Sequence, residues 1–318
     1  MCGCVVCLGA CAMDLIIRVP RLPEADEMVF SVGEPGLFPG GSTANIAAGI
    51  ARIGVGSRFV GKVGDDVNGR ALRDAFEADR VDTRWLMVDP TGRTAQTVIA
   101  VDPSGSRVIY SLGGTALLEA ADEFAFDILD GASALYVGEA FPEVARRAMQ
   151  GARSAGAYVV YGPGGMASWI GTENLAELMR LADFVLVSRS ELRGITGCDD
   201  PEAGAQQLTE QGVPGVVATL GEQGAACYRR PHGQGTGGAP TVEWAPSFTV
   251  DVVDTTGAGD AFASGFISSL VRARPIAECL RRGNACAAMA IGRVGAREAL
   301  PAREELEAFL SEEDGVRG

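Results

Sequence analysis

The chain has 318 residues, 47% of them hydrophobic, and its 27 basic and 41 acidic residues give a net charge of −14. This much apolar material supports one large core, more than a small module needs. A negative charge of this size repels nucleic acid and anionic membranes, so neither is expected as a partner. No apolar run reaches the roughly 18 residues of a membrane span, and no basic-then-apolar leader is present, so a cytoplasmic location is expected.

Four of the eight cysteines lie close together near the N-terminus, at Cys2, Cys4, Cys7 and Cys11. Their spacing leaves two interpretations open. One is a metal or cluster site. The other, which we favour, is a buried first strand, because residues 4–8 read Cys-Val-Val-Cys-Leu and a reduced thiol behaves as a small apolar side chain.

Short apolar runs alternate with helical patterns along most of the chain. The predicted strands are 59–63, 135–137, 158–161, 184–187, 215–218 and 248–253. A helix is predicted over 43–53, with Ser42 or Thr43 as its cap and Gly54 as its end. Alternation of strands and helices predicts an α/β fold with a mostly parallel central sheet and helices on both of its faces.

Two stretches interrupt this alternation and predict antiparallel hairpins. The predicted strand pairs are 15–19 with 28–32 and 97–101 with 107–111. Together they form a small sheet, from about 15–38 and 93–114, inserted in a single domain that spans 1–318. Beside a binding cleft such a sheet can act as a lid that excludes water. A structural flap and a dimer surface fit the sequence equally well.

The segment Asp-Thr-Thr-Gly-Ala-Gly-Asp at 254–260 follows a predicted strand and precedes a helical pattern. The small residues at the helix start are Gly257, Ala258 and Gly259. Their backbone N–H groups can point at an anion, and the helix dipole adds partial positive charge. Asp260 lies where a general base would accept the proton of an attacking hydroxyl. The 254–260 turn therefore predicts an anion hole for a transferring phosphoryl group, with a plain glycine-rich turn as the alternative.

Other chemistries lack their residues in this sequence. A Walker-type phosphate loop is absent, because no Gly-x-x-x-x-Gly-Lys-Ser/Thr occurs. His232 is the only histidine and lies in a glycine-rich stretch, which argues against histidine-based nucleophilic catalysis and against a zinc hydrolase. Residues 9–14 follow a strand but do not match Gly-x-Gly-x-x-Gly, which disfavours a nicotinamide dehydrogenase. A carboxylate base combined with backbone anion binding remains.

Four motifs, in order, resemble those of the ribokinase-like, or PfkB-type, carbohydrate kinases. They are the strand end from Gly9 to Asp14, Gly-Gly-Ser-Thr-Ala-Asn at 40–45, Thr-Leu-Gly-Glu-Gln-Gly at 219–224 and the 254–260 turn. Each alone has a simpler explanation as a turn, a cap or a hairpin, but their order and spacing favour the family. The resemblance implies a ribokinase-like three-layer sandwich with a small β-sheet lid, and transfer of the γ-phosphate of ATP to a hydroxyl of a sugar or nucleoside.

The resemblance also implies roles for individual residues. Asp260 would be the catalytic base, with the amides of Gly257, Ala258 and Gly259 in the anion hole. The implied substrate-binding residues are Asp14, Gly40, Gly41 and Asn45. The implied nucleotide-binding residues are Thr219, Gly221, Gly224 and Asn284, the last of which a helix-surface amide explains equally well. Activation by a monovalent cation and a homodimer formed through the lid sheet stay open.

One motif departs from the family pattern. Where the family has Asn-x-x-Glu beside its Mg²⁺, this chain has Ser188-Arg-Ser-Glu191. Glu191 keeps the carboxylate that organises metal-bound waters, and Ser188 can hydrogen-bond a water, so altered metal and phosphate handling is one outcome. Glu191 is also explained as a first-turn helix acid. The departure keeps a second hypothesis open, a non-catalytic sugar or nucleotide sensor of the same fold.

The acceptor is not determined by these motifs. Ser42 follows the two glycines where many ribokinases carry Lys, which favours a nucleoside or another sugar over free ribose. No basic cluster marks the pocket, which disfavours an acceptor that already carries phosphate, although arginines of the lid would reverse this. Glu139 follows the strand 135–137 and either faces the substrate or, as we favour, is a surface acid.

Overall fold

The computed structural model describes residues 3–230 and 241–317, so Cys2 and His232 lie outside the described residues. In chain order the strands are β1 (Cys4–Leu8), β2 (Ala12–Arg18), β3 (Gly36–Gly40), β4 (Gly56–Gly64), β5 (Asp82–Asp89), β6 (Gln96–Val101), β7 (Arg107–Ser111), β8 (Ala132–Val137), β9 (Tyr158–Tyr161), β10 (Phe184–Ser188), β11 (Gly215–Thr219), β12 (Ala225–Arg229) and β13 (Thr241–Ala245). The helices are α1 (Ser42–Arg52), α2 (Val67–Ala78), α3 (Pro142–Ser154), α4 (Thr172–Leu181), α5 (Arg189–Thr196), α6 (Pro201–Glu210), α7 (Ala258–Leu270), α8 (Ile276–Ile291) and α9 (Arg303–Arg317). In the part of the chain that is described, no helix is both long and apolar enough to cross a lipid bilayer.

The large sheet has nine strands in the order β13-β12-β11-β10-β9-β8-β1-β4-β5. The strands from β11 to β5 in this order run parallel, and only β12 and β13 join them antiparallel. The carboxyl ends of the parallel strands therefore meet along one edge, where the connections to the helices begin. The prediction of a mostly parallel sheet is confirmed, and five of the six predicted strands lie within it.

Strand β1 shows how the sequence divides the core. Val6 and Leu8 pack in an apolar cluster with helices α3, α4, α5 and α6. Val5 and Cys7 pack in a second cluster with α1, α2, α7 and α8. Because successive residues of a strand point to opposite faces, helices cover both faces of the large sheet. The prediction of a three-layer α/β sandwich is confirmed.

The N-terminal cysteines belong to this core. Cys7 and Cys11 are fully buried, and burial raises the pKa of the Cys11 thiol to about 12. Buried in this way, the two thiols act as small apolar side chains of the core. Within residues 3–230 and 241–317 no three His, Cys, Asp or Glu side chains are grouped to hold a metal ion. The buried-strand interpretation of residues 4–8 is confirmed.

The sixth predicted strand, 248–253, is wrong. The last strand of the sheet is β13, which ends at Ala245, and Pro246 follows it. Val252 and Val253 are exposed, and the N–H of Val253 donates to the carbonyl of Ile291 at the end of α8. Residues 248–253 therefore form an irregular connection, held by the buried side chain of Phe248 at its start and by this backbone bond to the end of α8.

The small sheet has the strand order β3-β2-β6-β7. The predicted hairpin of 97–101 with 107–111 is confirmed as β6 and β7. The other predicted hairpin is wrong, because β2 pairs antiparallel with β3 and parallel with β6. Residues 28–32 form no strand and bond to β2 only through the N–H of Val32 and the carbonyl of Arg18, at 2.7 Å. Met28 and Phe30 are both 79% exposed, so their apolar side chains have no sheet face to pack on. Both edges of β2 are therefore already paired without them.

Candidate active site

Helix α7 begins at the 254–260 turn. Gly257 precedes it with φ 77°, a left-handed conformation that favours glycine, and a Cβ there would lie 2.9 Å from the Cα of Ala296. Within the described ranges, the N–H groups of Gly259 and Asp260 have no hydrogen-bond partner, as expected for the first turn of a helix. The N–H of Ala258 makes only a long bond, of 3.3 Å, to the carbonyl of Thr255. The turn thus presents backbone donors and the positive end of a helix dipole to any anion placed there.

Two residues at the start of α1 hold the carboxylate of Asp260. Ser42 Oγ donates to Oδ1 at 2.6 Å, and Asn45 Nδ2 donates to Oδ2 at 2.9 Å. Asn45 and Asp260 are therefore brought together as the motifs suggest, although Asn45 contacts the acid itself. Ser42 was missed as a partner of Asp260. Its position three residues before Asn45 puts both side chains on one helix face, a signal that the sequence contains.

The environment of Asp260 raises its pKa from the ordinary 3.8 to about 6. The main cause is the loss of water around the carboxylate, which disfavours the charged form. The hydrogen bonds from Ser42 and Asn45 oppose this shift, whereas the negative charges of Glu139 and Asp14 add to it. Asp260 is therefore ionised at neutral pH and basic enough to accept a proton from a hydroxyl group.

Asp14 lies on β2, close enough to Asp260 for its negative charge to raise the pKa of that carboxyl. Its Oδ1 accepts a hydrogen bond from Thr97 Oγ1 of β6 at 2.6 Å. Gly40 lies against this carboxylate, because a Cβ at residue 40 would be only 1.9 Å from Asp14 Oδ2. Gly41 has φ 98°, and a Cβ there would lie 2.8 Å from the carbonyl oxygen of Ala10. Gly40 thus lets the chain pass close to Asp14, and Gly41 lets it pass close to the backbone at Ala10, before α1 begins.

Glu139 lines a cavity of about 140 Å³ together with Asp260, Ser42 and Thr219. Its Oε2 accepts a hydrogen bond from Thr43 Oγ1 at 2.9 Å. The favoured prediction that Glu139 is a surface acid is wrong. The strand β8 that precedes it ends at the carboxyl edge of the parallel sheet, where ligands bind in α/β folds of this type.

The predicted nucleotide loop joins β11 to β12 in a tight hairpin, closed by the N–H of Leu220 bonding to the carbonyl of Gly224 at 2.7 Å. Thr219 lines the cavity beside Asp260. Gly221 has φ 62°, and a Cβ there would meet nothing within 4 Å, so open space lies beside it. The hairpin explanation and an exposed ligand-binding loop are therefore compatible.

Asn284 holds the segment that follows β13 in place. It lies on α8 and is only 7% exposed. Its Nδ2 donates to the carbonyls of Ala245 and Pro246, at 3.0 and 2.9 Å. The surface-amide alternative is wrong, because this side chain supports the segment that follows β13 from within the protein.

The sequence matches the family described as pfkB family carbohydrate kinase over residues 4–303. The chain belongs to the PfkB family of carbohydrate kinases. It is 32% identical to an ATP-dependent ribose-1-phosphate kinase of Halopiger xanaduensis, across 97% of this chain and 98% of that protein. It is 32% identical to fructokinase-1 of Zea mays, across 95% and 96%. A ribokinase structure from Thermotoga maritima superposes with a TM-score of 0.83 at 26% identity, covering 98% of this chain and 100% of that one.

In this PfkB-family chain, Ser188 has a clear local role. It caps α5, accepting a hydrogen bond from the N–H of Glu191 while Glu191 Oε2 accepts one from the N–H of Ser188 at 2.6 Å. This reciprocal capping box satisfies two backbone donors. The helix-acid explanation of Glu191 is confirmed, and the same side chain lines the cavity beside Asp260. The departure from Asn leaves Glu191 in place.

The cavity suits Mg²⁺ held mainly through water and phosphate. Glu139, Glu191 and Asp260 surround it with carboxylate oxygens. In the described ranges no three such side chains converge on one point. Mg²⁺ keeps several waters and is usually bound by one or two carboxylates plus substrate phosphates rather than by a protein cage. The residues present therefore fit this ion.

Proposed function

We propose that this protein transfers the γ-phosphate of ATP to a hydroxyl of a sugar or nucleoside, with Asp260 as general base. The proposal depends on the position of Asp260. Its carboxylate, with a raised pKa, lies at the start of α7. In the described ranges, the N–H groups of Gly259 and Asp260 at the same helix start have no hydrogen-bond partner. A base and an anion hole are thus within one residue of each other. The kinases of ribose 1-phosphate and fructose among the relatives support an acceptor of this class.

In the proposed reaction the acceptor hydroxyl lies between Asp14 and Asp260. Its oxygen attacks the γ-phosphorus, the bond to the bridging oxygen of ADP breaks, and the hydroxyl proton passes to Asp260. Ser42 and Asn45 hold the carboxylate in one orientation for this transfer. The N–H groups of Gly259 and Asp260 stabilise negative charge on the phosphoryl oxygens. Positioning and electrostatics supply most of the rate.

Glu191 and Glu139 are the residues that would hold Mg²⁺ through its waters. When bound, Mg²⁺ neutralises charge on the nucleotide phosphates. In the capping box, Oε2 of Glu191 accepts the hydrogen bond from the N–H of Ser188, and Oε1 takes no part in that bond. Ser188 does not support the alternative of a non-catalytic sensor, because a serine at this position caps α5 and Glu191 still lines the cavity.

We further propose that the small sheet is a lid over the acceptor. The register places Asp14 beside Thr97 on one face, and the next residues, Leu15 and Val98, on the other. Support for the lid comes from the face with Asp14, whose charge lies near enough to Asp260 to raise the pKa of that carboxyl. Closure of this face over a bound acceptor would exclude water from the phosphoryl group and suppress hydrolysis of ATP.

The opposite face of the small sheet fits a second copy of this chain. Leu15, Leu37, Val98 and Tyr110 share this face by register, and Leu37 and Tyr110 are 47% and 59% exposed. An apolar face on a chain of net charge −14 is typical of an interface, and a twofold dimer needs only one such self-complementary face. Light scattering after size exclusion should show a dimer that Tyr110→Glu converts to a monomer; a monomeric wild type would refute this.

The reaction is tested by ADP release from magnesium-ATP across a panel of pentoses, hexoses, ketodeoxy acids, nucleosides and their phosphates. One strong acceptor is expected, with the signal lost in Asp260→Asn while magnesium-ADP binding is retained. Binding without release for every acceptor would favour the sensor. The same assay in potassium and in tetramethylammonium salts tests activation by a monovalent cation.

A further inference from the structure

Arg297 carries a buried guanidinium that the proposed reaction does not use. It lies between α8 and α9 and is only 2% exposed. Its Nε donates to Asp79 Oδ2 at 2.8 Å, and the guanidinium lies over the ring of Phe76, 4.7 Å from the ring centroid. Among residues 3–230 and 241–317, its buried Nη1 and Nη2 have no hydrogen-bond partner. Burial of a charge with two unsatisfied nitrogens lowers the stability of a fold.

A second arginine shares the same acid. Arg52, the last residue of α1, donates from Nε to Asp79 Oδ1 at 2.7 Å, so two guanidinium groups meet one carboxylate. The cluster of Arg52, Asp79 and Arg297 therefore carries one positive charge in excess. Apolar side chains in place of buried charges are often neutral for stability or stabilising. Stability alone thus does not explain an arginine at residue 297.

The cluster holds the segment 292–300, which connects α8 to α9. Arg52 Nη1 donates to the carbonyls of Arg297 and Leu300, at 2.7 and 3.3 Å. Asp79, to which Arg297 bonds, is the residue that ends α2. Hydrogen bonds with a charged partner are stronger than neutral ones. The segment 292–300 is therefore fixed to the ends of α1 and α2.

The same segment packs against the 254–260 turn. The N–H of Gly295 donates to Asp254 Oδ2 at 3.0 Å. A Cβ at Gly257 would lie 2.9 Å from the Cα of Ala296, so the two backbones are in contact just before α7 begins. Ala296 is the neighbour of Arg297 in the chain. Because packed interiors transmit small shifts, a displacement of the segment moves the N–H groups of the turn.

We propose that Arg297 is a positioning residue for phosphoryl transfer, which fixes the segment 292–300 and, through it, the N–H groups of the 254–260 turn. Arg297 does not line the cavity that contains Asp260, so it acts through the turn and takes no part in making or breaking bonds. Misplacement of a group by about 1 Å can lower a rate about 10²-fold. This inference rests on the proposed function and adds a residue that orients its anion hole.

The test replaces Arg297 by an apolar side chain of similar length. In Arg297→Met, Asp79 keeps its bond to Arg52, so the midpoint of urea unfolding should equal that of the wild type or rise. Calorimetry then measures the binding of magnesium-ADP with and without aluminium fluoride, which mimics the transferring phosphoryl group. The fluoride complex should weaken about 10-fold and magnesium-ADP alone less than about threefold. Arg297→Lys, which keeps a cation beside Asp79, should recover part of the loss.

Two further variants control this comparison. Arg282 is another buried arginine, 4% exposed, whose ion pairs are with Glu278 and Glu307. Arg282→Met should leave the ratio of the two affinities as in the wild type. Arg52→Gln removes the bonds to the carbonyls of the segment, and because the Arg52 side chain is 28% exposed this variant should fold. It should weaken the fluoride complex selectively, as Arg297→Met does, and it decides the matter if Arg297→Met does not fold.

The outcomes separate this inference from the proposed function. A wild-type affinity for the fluoride complex in these variants, or equal weakening of both complexes with a lower urea midpoint, would overturn the role of Arg297 alone. A wild-type protein that does not bind magnesium-ADP would overturn the proposed function and this inference with it. With the acceptor found by the panel, Arg297→Met should also lower kcat about 10-fold and change the KM for ATP less than about threefold. An unchanged kcat would contradict the inference.

Discussion

Replacing Ser42 by alanine should move the pH dependence of the reaction. Ser42→Ala removes the 2.6 Å hydrogen bond to Asp260 Oδ1, one of two that favour the ionised carboxylate. A hydrogen bond to a charged group contributes about 1.5–3 kcal/mol, and one pKa unit corresponds to about 1.4 kcal/mol. Because water can replace part of the lost bond, we expect the pKa of Asp260 to rise by about one unit, from about 6 to about 7.

The assay is kcat/KM as a function of pH, which reports the pKa of the free enzyme. The base works only when ionised, so the rate falls on the acid side. A shift of one unit lowers kcat/KM about fivefold at pH 6 and hardly at all above pH 8. Ser42→Thr keeps the hydroxyl and should retain the wild-type profile. An acid limb in Ser42→Ala that coincides with the wild type would refute the link between this bond and the base.

Three further predictions concern stability and the acceptor site. Asp260→Asn should stabilise the fold by up to about 3 kcal/mol at pH 8 and by much less at pH 4, because the pKa of Asp260 in the folded protein, about 6, makes ionisation of the carboxylate costly as pH rises above 3.8. Gly40→Ala puts a Cβ 1.9 Å from Asp14 Oδ2 and should raise the acceptor KM at least about tenfold with the ATP KM unchanged. Asp79→Ala removes the ion-pair partner of Arg297, which is 2% exposed, and should cost about 3–5 kcal/mol in urea unfolding.

Each of these has an outcome that contradicts it. Thermal unfolding of Asp260→Asn that shows no gain at pH 8 would mean that the carboxylate is not strained by its surroundings. A rise in the ATP KM of Gly40→Ala equal to that of the acceptor would place Asp14 away from the acceptor. The control for Asp79 is Asp82→Asn, which breaks an exposed pair with Arg84 and should cost less than about 1 kcal/mol. A similar loss of unfolding free energy in Asp79→Ala and Asp82→Asn would show that the buried ion pair contributes no more to stability than the exposed one.

The elements predicted correctly are those whose signal is local. A strand buried on both faces must be apolar throughout, so β1 can be predicted from its own residues. A helix start that presents N–H groups must carry small residues, so the 254–260 turn can be predicted in the same way. The segment 248–253 has the composition of a strand, but composition does not show whether a neighbouring strand is available. The choice of β3 over 28–32 as the partner of β2 depends on which edge is free, which is a property of the whole fold.

The same distinction holds for the site. The motifs indicate Asp14 and Asp260, because each is embedded in a short pattern. The contacts of Asp260 with Ser42 and of Thr256 with Arg107 join parts of the chain separated by 218 and 149 residues, so no local pattern contains them. The sequence favours a surface acid at Glu139, because nothing around this residue in the sequence shows that its strand ends at the cavity.

The most direct test of the central claim is transfer itself. The wild-type protein and Asp260→Asn are incubated with magnesium-ATP and the acceptor found by the panel, and the phosphorylated acceptor is quantified by mass spectrometry. We expect the wild type to place one phosphate on one hydroxyl, and the rate to fall on the order of 10³-fold or more in the variant, with magnesium-ADP bound equally by both. Transfer by Asp260→Asn at a rate close to that of the wild type would show that Asp260 is not the general base.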